Sequence, residues 1–122
     1  MSAHLLTSVT LAALAGTLSA SLSLADVRGD ARAQVEFGIN VAQRGLWREA
    51  IYRWEKAVEL DPTYAAAFND LAIAYEHEGQ LERARKAYDR ALELEPNNIQ
   101  IRQNYDLFRE INDRTSQGKE KS

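Results

Sequence analysis

The sequence predicts an all-α fold, a right-handed stack of helical hairpins with five helices, and three observations carry that prediction. The first is a fixed period. Phe37, Gly38, Gly45, Ala50, Trp54, Ala57 and Pro62 align with Leu71, Ala72, Gly79, Ala84, Tyr88, Ala91 and Pro96, each pair separated by the same interval as the prolines, 96 − 62 = 34 residues. The second is that apolar residues inside each copy recur at helical spacing, broken midway by a glycine and ended by a proline. The third is the run of small residues, Gly38, Ala50 and Ala57 with Ala72, Ala84 and Ala91, which lets helix backbones approach closely.

In chain order, residues 5–24 are apolar and rich in small residues, and no Asp, Glu, Lys or Arg precedes Asp26. Ser23 and Ala25 supply small residues at the −3 and −1 positions of a cut before Asp26. Residues 1–25 therefore resemble a secretory signal peptide, although Met1-Ser2-Ala3-His4 carries no Lys or Arg. The rival readings are a membrane anchor over residues 5–25, against which eight Ser, Thr and Gly residues weigh, and an amphipathic or disordered leader. Either leading option moves the helical part out of the cytosol, to the periplasm, the extracellular space or an organelle lumen. Once the leader is removed, no membrane insertion is expected.

Residues 26–30 form a charged lead-in. From about Ala31, the residues Ala33, Val35, Phe37, Ile39, Val41 and Ala42 give a helix apolar on more than one side, which must be covered on more than one face. Gly45 turns the chain. Trp47 to about Leu60 then carries Ala50, Ile51, Trp54, Ala57 and Val58 as an amphipathic stripe, stopped at Asp61-Pro62. The second pair repeats the plan: Phe68, Leu71, Ala72 and Tyr75, then Gly79, then Leu81, Ala84, Tyr88, Ala91 and Leu92, then Glu95-Pro96. Phe37, Trp54, Leu71 and Tyr88 are expected to fill the space between the closely approaching helices. Asn97-Asn98 opens a last helix, residues 99–114, with Ile101, Tyr105, Phe108 and Ile111 on one face, as a terminal cap requires. Residues 115–122 read as a disordered tail.

Composition removes several functions. With 45% hydrophobic and 27% charged residues the chain suits a soluble globular protein. A net charge of −3 gives no basic footprint for nucleic acid. No cysteine is present, which excludes disulfides, thiolate chemistry and an acylated lipoprotein cysteine. His4 and His77 are too few and too far apart for a histidine metal cluster. There is no Ser-His-Asp set, phosphate loop or metal-ligand spacing, so neither an enzyme nor a cofactor is expected. His77 reads as an exposed helix-end histidine, with a pH switch or metal ligand as the sharper alternative. Trp47, Tyr52 and Tyr64, at helix ends, are candidate anchors for a partner, Tyr64 equally suiting a staple on the helix that follows.

The period and its residues resemble the tetratricopeptide repeat. Phe68, Leu71, Ala72, Tyr75, Ala84, Tyr88, Ala91 and Pro96 fill the eight signature positions of a second repeat at residues 65–98. The first repeat, residues 31–64, departs at Gln34 and Val41. The helix at 99–114 is looser, with Arg102, Asp106 and Arg109 at signature positions.

The resemblance implies a concave groove lined by the first helices of successive repeats and holding a peptide or helix. Carried over by position, the lining is Arg32, Val35, Ile39, Ala42 and Gln43, then Ala66, Asn69, Ile73, Glu76 and His77, then Gln103, Leu107 and Glu110. Val35, Ile39, Ile73 and Leu107 would make an apolar strip edged by Arg32, Asn69, Glu76 and Gln103, the alternative being that these aliphatics belong to a small core. One subfamily grips C-terminal carboxylates with lysine, arginine and asparagine. Val35 and Ile39 stand where that grip has lysine and asparagine, so its positive charge is absent. The expected function is a small exported adaptor or assembly factor that binds a protein or peptide partner. The alternative is a self-associating structural subunit of an envelope complex, a homo-oligomer built on the uncapped N-terminal face.

Overall fold

Five helices form in the segments where apolar spacing is helical and stop where glycine or proline intervenes. A computed structural model of the chain describes residues 7–120, with side chains from 24 to 119. The helices are α1 (Thr7–Gln43), α2 (Trp47–Leu60), α3 (Ala65–His77), α4 (Leu81–Leu94) and α5 (Ile99–Glu120). They pack as antiparallel pairs, α1 on α2 and α3 on α4; α2 also packs on α3, and α5 closes the stack against α4.

The turn within each pair is the same device. Gly45 and Gly79 have φ of +77° and +72°, the left-handed region that a residue with a Cβ enters at a cost. At the first, the Gly45 amide donates to the Ala42 carbonyl and the Leu46 amide to that of Val41. At the second, Gly79 donates to Glu76 and Gln80 to Tyr75. This paired pattern satisfies carbonyls that the helix end would otherwise strand. The link between pairs is held by Asp61, whose Oδ1 accepts from the Thr63 amide at 3.0 Å and the Thr63 hydroxyl at 2.6 Å. Those bonds, the hydroxyl's first, hold the Asp61 carboxyl below its ordinary value.

Close approach is most severe at Gly38, where an added Cβ would lie 2.3 Å from Trp54 Nε1. Ala50, Ala57, Ala72 and Ala84 are fully buried in one cluster with Trp54, Leu71 and Tyr88, and Ala91 is fully buried in a second with Ala65 and Ile101. A series of tyrosine hydroxyls then ties the helices from α2 to α5, each to the next. Tyr75 donates to Glu55 at 2.8 Å (α3 to α2), Tyr88 to Glu76 (α4 to α3), and Tyr105 to Asp89 at 2.8 Å (α5 to α4). Burial first, and then the acceptor carboxylate, push the Tyr75 hydroxyl up to about 12 and raise those of Tyr88 and Tyr105.

Three expectations need correction. Phe37 does not fill the core: it is 45% exposed, and the Arg53 guanidinium lies over its ring at 4.1 Å. The first repeat helix does not begin near Ala31; α1 runs unbroken from Thr7 through residues 26–30. The segment from 115 continues as helix to Glu120, because nothing between Ile111 and Glu120 forces a turn, Gly118 being accommodated within the helix. Residues 1–6, including His4, and 121–122 lie outside the described residues, as do the side chains of the leader up to Ser23. No helix among the described residues is long and apolar enough to cross a membrane.

Candidate functional site

The groove forms where α1 and α3 run side by side over α2. It is an open cavity of about 340 Å³ lined by Ile39, Ala42 and Gln43 of α1, Trp47 and Trp54 of α2, and Asp70 and Ile73 of α3. Trp54 is its floor, held by its indole N–H donating to the Val35 carbonyl at 3.1 Å. Trp47 is its wall: the His77 imidazole stacks on it with ring centroids 3.9 Å apart and an interplanar angle of 11°. Arg48 and Glu78 pair at 3.6 Å across the same α2–α3 edge.

Of the residues carried over by position, the groove brings together Ile39, Gln43 and Ile73, with Ala42. Two are sealed instead. Val35 is 6% exposed within the main core cluster, and Asn69, its counterpart one repeat later, is 8% exposed. Their position points into the stack, so both serve packing. Asn69 Oδ1 accepts from Asn104 Nδ2 at 3.2 Å, which fastens α5 to α3. Glu76 is half-buried and engaged as the acceptor for Tyr88. Arg32, Gln103 and Leu107 are exposed and lie outside this cavity, Leu107 at 57%. The apolar strip thus shrinks from four aliphatics on three helices to two, Ile39 and Ile73, supplemented by tryptophan.

The position rule missed Asp70, Trp47 and Trp54. Trp47 was expected to anchor a partner from an exposed helix end, whereas it is half-buried as groove wall; Tyr52 is exposed on the opposite side of α2, and Tyr64 packs against the core. A signal for Asp70 did exist, since it is the only charged residue between Asp61 and Glu76. Burial pushes its carboxyl up to about 6, with no hydrogen bond or counter-charge among the causes. Among the described residues no three His, Cys, Asp or Glu side chains gather where a metal ion could be held. The site can therefore offer shape, apolar surface, indole faces and one carboxylate, which is the equipment of a binding surface.

Two family models match the chain: the tetratricopeptide repeat over residues 65–98 and a TPR repeat over residues 42–78. Among curated proteins, 82 residues are 33% identical to the type IV pilus assembly protein PilF of Pseudomonas aeruginosa, 66% of this chain and 32% of that one. Over 73 residues the chain is 32% identical to the chloroplastic tetratricopeptide repeat domain-containing protein PYG7 of Arabidopsis thaliana, 60% of this chain and 24% of that one. A third match, 35% identity over 54 residues, is to the mouse protein O-mannosyl-transferase TMTC4, 44% of this chain and 7% of that one.

Among solved structures, that of P. aeruginosa PilF superposes with a TM-score of 0.66 at 32% identity, covering 71% of this chain and 40% of that one. The crystal structure of MamA gives 0.63 at 25%, covering 68% and 48%. The chain spans a third or less of the curated relatives' lengths. What these differently named proteins share with it is the repeat, a scaffold for protein–protein interaction that is in general non-catalytic. With its 34-residue period, its glycine turns and its paired helices, the chain belongs to the tetratricopeptide-repeat family.

Proposed function

We propose that this chain is a small adaptor or assembly factor that binds a peptide or a helix of another protein in the groove between α1 and α3, and that residues 1–25 direct its export. The observation that carries the reading is the groove itself: concave and mostly apolar, floored and walled by two indoles. An apolar recess of this kind, edged by polar groups such as Gln43, is what a partner's side chain needs to be desolvated and oriented at once. The match to a pilus assembly protein supports an assembly role, and the apolar leader ending at Ala25 supports export to the periplasm or beyond.

A photo-crosslinking residue at exposed Gln43 in the full chain tests it, in cells that make the protein. The expected result is a discrete crosslinked partner that disappears when Ile73→Lys fills the groove, while helicity is retained. A partner retained at full yield by Ile73→Lys would move the binding surface elsewhere. N-terminal sequencing of the recovered protein tests export: a mature end at Asp26 is expected, and an intact Met1 end in the cytosol would refute it.

A second reading is favoured by the outer face of α5, where Leu107 and Ile111 are both more than half exposed. Such a face suits a self-associating structural subunit. Sedimentation of the full chain distinguishes the two, because only self-association makes the mass rise with concentration and collapse in Leu107→Lys/Ile111→Lys.

A further inference from the structure

Asp70 is the only charged side chain in the lining of the α1–α3 groove. It is half-buried, and among the described residues neither a hydrogen bond nor an ion pair reaches its carboxylate. The other carboxylates facing neighbouring helices are engaged: Glu55 by Tyr75, Glu76 by Tyr88, Asp89 by Tyr105 and Glu78 by Arg48. A recess on the other side of α3, lined by Glu55, Val58, Phe68, Tyr75, Arg83 and Lys86, carries both signs of charge and so selects neither. Asp70 alone is left to be satisfied from outside.

We infer that the groove takes a segment of another protein bearing one lysine or arginine between apolar residues, with the cation against Asp70 and the Trp47 indole and the flanking apolar side chains on Ile39, Ala42 and Ile73. This rests on the groove reading above and adds the chemistry of the occupant. Three physical points select it. A neutral segment would cover an ionised carboxylate without pairing it, and an uncompensated buried charge is strongly unfavourable. An acidic segment would add like-charge repulsion in a poorly solvated site. A cation gains both the carboxylate and the face of an indole, and an apolar surround strengthens each attraction.

The experiment is selection of a displayed random peptide library on the full chain, followed by titration of the resynthesised winners against the wild type, Asp70→Asn and Ile73→Lys. The expected winners share one Lys or Arg flanked by apolar residues. Asp70→Asn should weaken them about tenfold or more. Norleucine in place of the basic residue should weaken them markedly more for the wild type than for Asp70→Asn, where only the indole contact remains to be lost, and the difference places the two groups in contact; an equal loss in both overturns the role of Asp70. Thermal unfolding of Asp70→Asn should occur at or above the wild-type temperature, so that lost binding is not lost fold.

Winners with no shared basic residue, or binding unchanged in Asp70→Asn, overturn the role of Asp70; if Ile73→Lys still abolishes binding, the groove reading survives. Winners indifferent to Ile73→Lys, or none at all, overturn both. A groove filled by a second copy of this chain, seen as a dimer lost in Ile73→Lys, also overturns the inference.

Discussion

The two repeats are written in one 34-residue frame, yet they are buried differently. Leu71 is 3% exposed and Phe37, its counterpart, 45%. Ile73 is half-buried where Ile39 is open. At other positions the repeats agree: Gly38 and Ala72, Val41 and Tyr75, and Val35 and Asn69 are buried in both. The agreeing positions face the partner helix of the same hairpin or the interior of the stack. The disagreeing ones depend on a neighbour. The second repeat packs against α2 on one side and α5 on the other, whereas among the described residues the first repeat packs chiefly against α3. In a stacked array, burial belongs to the interface between units as much as to the unit. A repeat's signature therefore tells which residues are able to pack, and its place in the array tells which ones do.

The largest effect should come from truncating the two members of one aligned pair. Leu71→Ala should cost about 2–5 kcal/mol, as for a buried leucine whose cavity cannot collapse. Phe37→Ala should cost under about 1 kcal/mol, the range for an exposed site whose main contact is a cation over the ring. Urea unfolding of both variants checks this. Equal losses would mean that Phe37 is covered in solution, for example by a second copy on the N-terminal face.

Next in size is Gly38→Ala, which installs at the first repeat the residue that Ala72 supplies at the second. In the second repeat the facing ring is Tyr88 and alanine is accommodated; in the first it is Trp54, whose indole occupies the space of the missing Cβ. The substitution should overpack by about 1–3 kcal/mol and break the Trp54 to Val35 hydrogen bond. A red-shifted tryptophan fluorescence would accompany the loss. Adding Trp54→Tyr should recover part of it, since the pair then matches the second repeat.

Asp70 is half-buried where Glu36, one repeat earlier, is exposed, and the buried carboxyl sets a pH test. Burial raises the Asp70 carboxyl from 3.8 to about 6 in the fold. Between those values the native state binds more protons than the unfolded chain, so this group's contribution declines as pH rises from about 4 to 6 and is flat above. Asp70→Asn removes that decline. It should be near neutral at pH 4 and stabilising by about 1–2 kcal/mol at pH 7, after allowance for partial solvation. An Asp70→Asn variant less stable than the wild type at pH 7 would show that the free carboxylate has a partner in the fold.

Period, proline and glycine made the hairpins and their turns legible, because each acts through its own backbone: Gly45 by its φ, Pro62 by ending a helix, Ala84 by its size. The groove was half legible. Ile39, Gln43 and Ile73 line the α1–α3 cavity whereas Val35 and Asn69 are buried, since whether a position on α1 or α3 opens outward depends on how neighbouring helices cross it. Trp54 was read as core and is core, yet one edge of it is also the floor of the cavity, and a helical period cannot assign two roles to one side chain. Asp70 was visible as a lone charge in an apolar run; its meaning appears only when Trp47 and Ile39 arrive from other helices.

The smallest effect concerns the helix starts. Helices α2, α3 and α4 have Leu46, Tyr64 and Gln80 at their N-cap positions, and none of these makes a side-chain cap bond. At α5, Asn98 Oδ1 accepts from the Ile101 amide at 3.1 Å. The uncapped helices are held along their length by a neighbour on each side. The last one packs on the stack by one face, through Ile101, Tyr105, Phe108 and the Asn104 to Asn69 bond, so its first turn depends more on the cap. Asn98→Ala should therefore cost about 1 kcal/mol, and the loss should be local. Hydrogen exchange is expected to quicken in the first turns of α5 while the amides of α3 and α4 keep their protection, because a terminal unit can open without its neighbours. Exchange that quickened evenly through α3, α4 and α5 would instead make α5 part of one cooperative unit with the second repeat, and the tyrosine bonds from Tyr88 and Tyr105 would be the links that join them.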